Sequence, residues 1–191
     1  MLNESCVRLI NTVTNIMDIS LLTSGNVKIV KSEVLLRDLI KPITEKFKSS
    51  CKQKNINIIL PETSFNENFK IYTDEELFGK IFHQLIDNAI KFTSQGTITI
   101  GGEKGISEYH FFVKDTGIGI SEEYKNRLFS HFEQEDFTIT RRYEGTGIGL
   151  PIAKGMVELL GGKMWMDSVK GKGSTFHFSI PIELNDHSNL N

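Results

Sequence analysis

Cysteine is nearly absent: the 191-residue chain has two, Cys6 and Cys51, and neither stands in a CxxC or Cys/His spacing. That excludes a disulfide framework and a zinc site of the usual spacing. It points to a reducing, cytosolic setting, with both cysteines read as small buried apolar residues of helices. Long apolar runs are missing too. Stretches such as Ile58-Ile59-Leu60 and Phe111-Phe112-Val113 fall far short of the ~20 residues that cross a bilayer, so no direct membrane contact is expected of this chain. The N-terminus breaks its apolar residues with Asn3, Glu4, Arg8 and Asn11, the wrong order of charge and hydrophobicity for an export signal. Nor is there an excess of one charge. With 22 Lys+Arg against 24 Asp+Glu the formal net charge is −2, which argues against a nucleic-acid partner held by charge.

What is present is ordinary globular material, 39% hydrophobic and 24% charged, enough for a sizeable core and unlike a disordered chain. The length suits one domain with an appendage. Residues 3–22 place Cys6, Leu9, Val13 and Ile16 at spacings of three and four, flanked by Ile10, Met17 and Leu21. This predicts an amphipathic helix with an apolar face that needs a partner, a fragment of a helical bundle ended at Gly25. Period-two alternation predicts a strand over Val27–Lys31, and Leu35, Leu39, Ile43 and Phe47, four apart, predict a helix over Val34–Lys52. Short strands follow at Ile56–Leu60 and Phe69–Tyr72. Asp74 caps a helix over 74–92, with Glu75 and Glu76 in its first turn. Thr97–Ile100 and Tyr109–Val113 then form a hairpin around a glycine-rich turn at Gly101, Gly102 and Gly105. A helix over 149–161 ends at Gly161-Gly162, and Lys163–Asp167 and Ser174–Ile180 are closing strands.

On the helix over 74–92, 100° per residue gathers Leu77, Phe78, Ile81, Phe82, Leu85, Ala89 and Phe92 on one arc and sets Gln84, Asn88 and Lys91 along its edge. Such a stripe is either a solvated border or a pocket floor. Two glycine-rich segments bear on the choice. Asp115-Thr116-Gly117-Ile118-Gly119-Ile120 follows a strand, and Gly145-Thr146-Gly147-Ile148-Gly149-Leu150 opens a helix. Glycines let the backbone approach a phosphate, and a helix N-terminus adds favourable partial positive charge. Neither is a Walker loop, because no Gly-Lys-Ser/Thr closes it, and neither opens a dinucleotide-binding βαβ unit.

In order along the chain, Gln84-Leu85-Ile86-Asp87-Asn88-Ala89-Ile90-Lys91-Phe92-Thr93, Asp115–Ile120, Leu128-Phe129-Ser130-His131-Phe132 and Gly145–Leu150 resemble the N, first G, F and second G boxes of sensor histidine kinases. Met17-Asp18-Ile19-Ser20 with Ser24-Gly25 resembles the end of the second helix of that family's dimerisation hairpin, and Gly171-Lys172-Gly173-Ser174-Thr175-Phe176 its closing strand. The likeness implies an α+β fold, a two-layer α/β sandwich of the Bergerat type, with a mixed, mostly antiparallel sheet, helices on one face and one bundle helix in front. It divides the chain into a partial hairpin over 1–25, a catalytic ATP-binding domain over 26–184 and a flexible tail over 185–191.

The same resemblance assigns roles. Asp115 accepts a hydrogen bond from the adenine amino group, discriminating against the guanine carbonyl; its alternative role is a turn residue before Gly117. Asn88, with Gln84, holds Mg2+ through amide oxygens. Lys91 neutralises phosphate charge. Phe92 and Ile120 flank the nucleotide, Phe92 having a place in the core as its alternative. Gly117 and Gly119 shape the first loop, and Gly145, Thr146, Gly147, Gly149 and Leu150 form the phosphate-facing hinge of a lid. Within that lid Arg141 and Arg142 meet the terminal phosphate, or else form a solvated pair.

Two departures qualify the likeness. Gln84 stands where most members carry asparagine, one methylene longer, and where hydrolytic relatives of the fold carry glutamate as a general base; an amide cannot serve as that base. Pro151 replaces the usual alanine, tolerably in a first turn. No histidine precedes His83, and none of the five matches the family's acceptor motif. The expectation is therefore an ATP- and Mg2+-binding kinase domain that transfers the γ-phosphate to a histidine outside this chain, for onward passage to a response-regulator aspartate. Its partners are the phosphoacceptor hairpin of a homodimeric, cytoplasmic or membrane-tethered parent and a receiver domain. The alternative is a degenerate nucleotide-binding or docking module.

Overall fold

The computed structural model describes residues 2–25, 27–65, 69–125 and 148–183. In chain order the elements are α1 (Leu2–Ser24), β1 (Lys31–Leu35), α2 (Leu36–Gln53), β2 (Ile56–Ile59), β3 (Lys70–Asp74), α3 (Glu75–Phe92), β4 (Gly96–Lys104), β5 (Glu108–Asp115), α4 (Gly149–Leu159), β6 (Lys163–Val169) and β7 (Gly173–Pro181). A five-stranded sheet has the order β2-β4-β5-β7-β6. Its β2–β4 pair is parallel and the rest are antiparallel. β1 and β3 form a separate antiparallel pair. This is the α+β sandwich expected, mixed but mostly antiparallel.

The sheet's two faces follow from period two. On β5, Tyr109, Phe111, Val113 and Asp115 are buried while His110 and Phe112 are half-buried and Lys114 is exposed. Register pairs Phe111 with Phe178 and Val113 with Phe176, so the inner residues of β5 and β7 meet on one face. Against that face α3 packs Phe78 and Phe82, whose rings lie 5.0–6.0 Å from those of Phe111 and Phe178. Four fully buried aromatic rings in edge-to-face contact make this the centre of the core, each contributing roughly 1.5–3 kcal/mol of burial. Asp115, the last inner residue of β5, is thereby carried to the end of that core next to the C-terminus of α3.

Asp74 caps α3 as expected: its Oδ1 accepts from Leu77 N at 3.0 Å, and its Oδ2 accepts from Val30 N at 2.7 Å. That second bond helps fix β1, which lies at Lys31–Leu35 and not at the expected Val27–Lys31. Val27–Val30 has the right period but no partner strand, whereas Lys31–Leu35 pairs residue for residue with Asp74–Lys70. The expected glycine turn is also corrected. Gly101 and Gly102 lie inside β4, opposite Phe112 and Phe111. A Cβ on either would sit within 2.4 Å of the facing phenylalanine ring, so these glycines clear space for aromatic rings, and only Gly105 belongs to the turn.

α1 keeps the unpartnered apolar face that its sequence predicts. Leu9, Ile10, Val13, Ile16, Met17 and Leu21 are all exposed. Cys6 is exposed as well, contrary to the expectation of burial, because it shares that uncovered face; Cys51 is buried. No helix among the described residues is long and apolar enough to cross a membrane.

Candidate functional site

The C-terminal half of α3, the loop after β5 and the first turn of α4 converge. Ile118 N donates to Phe92 O at 3.2 Å. A Cβ on Gly117 would lie 2.3 Å from the same Phe92 oxygen, and a Cβ on Gly149 would lie 2.6 Å from Gln84 Oε1. Gln84, Asn88, Lys91, Phe92, Gly117, Gly119, Ile120 and Gly149 are thus brought to one end of the sandwich, half-buried. The polar stripe of α3 lies against these loops rather than wholly in solvent. Phe92 stands outside the buried core, with Lys91 Nζ 4.9 Å from its ring centroid. Leu150 differs: its side chain is buried in the core, so it can offer a ligand only its backbone. Arg141, Arg142, Gly145, Thr146 and Gly147 lie outside the described residues, as do Phe129, His131 and Phe132.

Asp115 occupies the deepest point of the site, 3% exposed. Its Oδ1 accepts from Gly117 N at 2.8 Å and from Ser174 N at 3.3 Å. The first of these is an Asx turn, so the structural role open from the sequence is real. Yet it occupies a single oxygen. Oδ2 has no partner among the described residues, so both bonds fall on one oxygen. Burial pushes the carboxyl above its ordinary range, against the pull of the Gly117 and Ser174 amides.

Sequence reasoning missed the support behind this carboxylate. Ser168 Oγ accepts from Ile120 N at 2.7 Å, donates to Gly173 O at 3.1 Å and contacts Ser174 Oγ at 2.9 Å, with both serines buried. Gly171 N donates to Ile118 O at 2.7 Å. Gly119 takes a φ of +61°, and a Cβ there would fall 2.0 Å from Val169 O. The first glycine loop is therefore stapled to the β6–β7 hairpin as well as to α3. The inward phase of β6 and β7 could have flagged Ser168 and Ser174, as polar residues on a core face.

α4 begins at Gly149 with no side-chain cap and no acidic residue in its first turn. Its leading N–H groups therefore take no side-chain cap among the described residues. Pro151 sits in that turn, where its missing N–H costs nothing. The donor set also suits a hard cation: Asn88 and Gln84 supply amide oxygens one helical turn apart. No cluster of three His, Cys, Asp or Glu exists among the described residues.

A model of histidine kinase-, DNA gyrase B- and HSP90-like ATPases matches residues 73–184. The autoinducer 2 sensor kinase/phosphatase LuxQ of Vibrio parahaemolyticus is 30% identical over 190 residues, covering 95% of this chain and 22% of LuxQ. The adaptive-response sensory kinase SasA of Crocosphaera subtropica is 35% identical over 181 residues, covering 89% of this chain and 44% of SasA. The chain thus spans less than half the length of these curated relatives. Among solved structures, the nucleotide-free catalytic domain of histidine kinase ThkA superposes with a TM-score of 0.67 at 30% identity, covering 80% of this chain and 96% of that domain. Full-length ShkA in complex with AMPPNP shares the fold, with a TM-score of 0.79 at 24% identity over 96% of this chain and 38% of ShkA.

Proposed function

Because the chain belongs to the histidine kinase-, DNA gyrase B- and HSP90-like ATPase family and is the ATP-binding domain of a sensor histidine kinase, we propose that it binds Mg-ATP at the end of α3 and presents the γ-phosphate to a histidine outside this chain. The observation that carries this reading is the divided carboxylate of Asp115, one oxygen tied to two backbone amides and the other without a partner among the described residues. A free acceptor there meets the amino group of adenine and opposes the carbonyl of guanine.

In this reading the first glycine loop, held to α3 and to the β6–β7 hairpin, is a preformed wall for the base. Phe92 and Ile120 flank it. Lys91 and the open N-terminus of α4 counter phosphate charge, joined by Arg141 and Arg142 from the lid segment. Asn88 and Gln84 would hold magnesium, which would supply neutralisation of phosphate charge. The domain contributes positioning and electrostatics, without a covalent intermediate of its own. Gln84 cannot take a proton from water, so transfer to an imidazole is favoured over hydrolysis. Among the described residues, His83 is packed on Phe47 with ring centroids 4.9 Å apart, and His110 and His177 lie on the outer face of the sheet, away from the end of α3. The acceptor belongs to a partner hairpin, and a receiver domain takes the phosphoryl group from there.

Calorimetric titration with ATP and GTP, with and without magnesium, tests this reading. Saturable, adenine-selective binding strengthened by magnesium is expected, with no acid-labile label from γ-labelled ATP on the isolated chain. Absent binding, or binding without transfer to a supplied hairpin, would leave a degenerate docking module.

A further inference from the structure

Helix α1 meets the nucleotide-binding module through Asn15, Asp18 and Leu22, which share one face at spacings of three and four. Leu22 seats on α4, where a Cβ on Gly155 would come within 3.0 Å of Leu22 Cδ1. Asp18, 4% exposed, accepts from Lys80 Nζ at 3.0 Å. One turn further along α3 and one turn back on α1, Gln84 Nε2 donates to Asn15 Oδ1 at 2.9 Å. The two helices therefore run antiparallel here, and α1 ends its grip on a residue of the pocket border.

A primary amide has an oxygen at one corner and a nitrogen at the other. With Nε2 engaged by Asn15, Oε1 of Gln84 is turned the opposite way. That oxygen is the atom lying against Gly149 at the start of α4. We propose that Asn15 is a positioning residue for the nucleotide site: it orients the Gln84 amide so that oxygen, and not nitrogen, faces the phosphate end of the pocket. This rests on the reading of the pocket given above. An NH2 group turned inward would present a donor to the cation; an oxygen presents a hard ligand. The extra methylene of glutamine makes the tether consequential, because a longer arm loses more rotamer freedom when it is held in one place. The site is then complete only while α1 is docked, and the helix that carries the unpartnered apolar face also sets the geometry of the metal position.

The test uses the 191-residue chain, titrated calorimetrically with ATP in magnesium and in EDTA. In the unsubstituted protein magnesium tightens binding. Asn15→Leu, which keeps the helix-forming tendency, is expected to lose about tenfold of that tightening, the usual size for a group that orients a metal ligand, with metal-free affinity unchanged. Asn15→Asp, which can only accept, restores it. Gly155→Leu crowds Leu22, lifts α1 and reproduces the Asn15→Leu result. In metal-free protein the side-chain amide protons of Gln84 shift on Asn15→Leu, a readout that needs no nucleotide. Wild-type tightening in Asn15→Leu, or failure of Asn15→Asp to restore it, overturns the assignment. If the unsubstituted chain shows no magnesium effect at all, the reading of the pocket fails first and the role of Asn15 falls with it.

Discussion

Asp115→Asn separates recognition from folding at the site's central carboxylate. The substitution is isosteric, and the asparagine oxygen can keep both bonds that Oδ1 now accepts, from Gly117 N at 2.8 Å and Ser174 N at 3.3 Å. Its NH2 group then takes the place of Oδ2 and confronts the adenine amino group, donor against donor. Losing a charge-assisted hydrogen bond costs about 1.5–3 kcal/mol, so the Kd for ATP rises roughly 10- to 150-fold, and the preference for ATP over GTP collapses. Stability moves the other way. Burial holds this carboxyl above its ordinary range, so the folded state keeps the proton to higher pH than the unfolded state does. Stability is therefore greatest below the unfolded value and falls as pH rises through the folded one. Above the folded value the ionised carboxylate is a cost that asparagine removes. Titration with both nucleotides and thermal unfolding at pH 7 measure the two effects. An Asp115→Asn protein that binds ATP within about twofold of the original and still rejects GTP would reduce Asp115 to a turn residue; one that loses stability would refute the division of labour between its oxygens.

Gly117→Ala places a methyl group 2.3 Å from a backbone oxygen, that of Phe92, which cannot yield as a side chain can. It should cost about 1–3 kcal/mol in urea unfolding and weaken ATP binding with it. Burial holds His83 below its usual range, with Asp87 pulling up and Lys46 down. The unfolded chain takes up a proton that the folded one refuses, so stability is full above the ordinary histidine value of about 6.5 and falls as pH drops toward the folded one. His83→Phe should flatten that acid loss in urea unfolding at pH 7.5 and 5.5, leaving the slope due to His177, which burial lowers likewise. The bare face of α1 should drive weak self-association. Ile16→Lys with Met17→Glu, both exposed positions, should abolish it in sedimentation velocity, whereas a monomer before substitution would show that the face is not sticky.

How much of this was legible in the sequence depends on whether the cause was local. The apolar arc of α3, its Asp74 cap and the inward phase of β5 follow from spacing alone, and the phase of β5 also delivers Asp115 to the helical side of the sheet. Local reading failed where a distant residue decides. Gly101 and Gly102 look like a turn until the rings of Phe112 and Phe111 are placed opposite them. Val27–Val30 alternates as well as any strand, but β3 pairs with the residues after it. Nothing in the spacing of α1 marks Asn15 and Asp18 as contacts, because their partners Gln84 and Lys80 are more than sixty residues away.

The site is built from groups with two ends, one spent on the scaffold and one presented. Asp74 gives one oxygen to the first turn of α3 and the other to Val30 ahead of β1, which fixes the helix that bears the polar stripe. Asp115 gives one oxygen to its own turn and to β7 and keeps the other at the pocket floor. Gln84 gives its nitrogen to α1 and keeps its oxygen beside Gly149. A side chain held at one end is already oriented at the other, so binding need not supply the entropy of ordering it. The same arrangement links pocket and scaffold: because α1 holds one of these groups by its back, a movement of α1 would reach the start of α4 through a single amide.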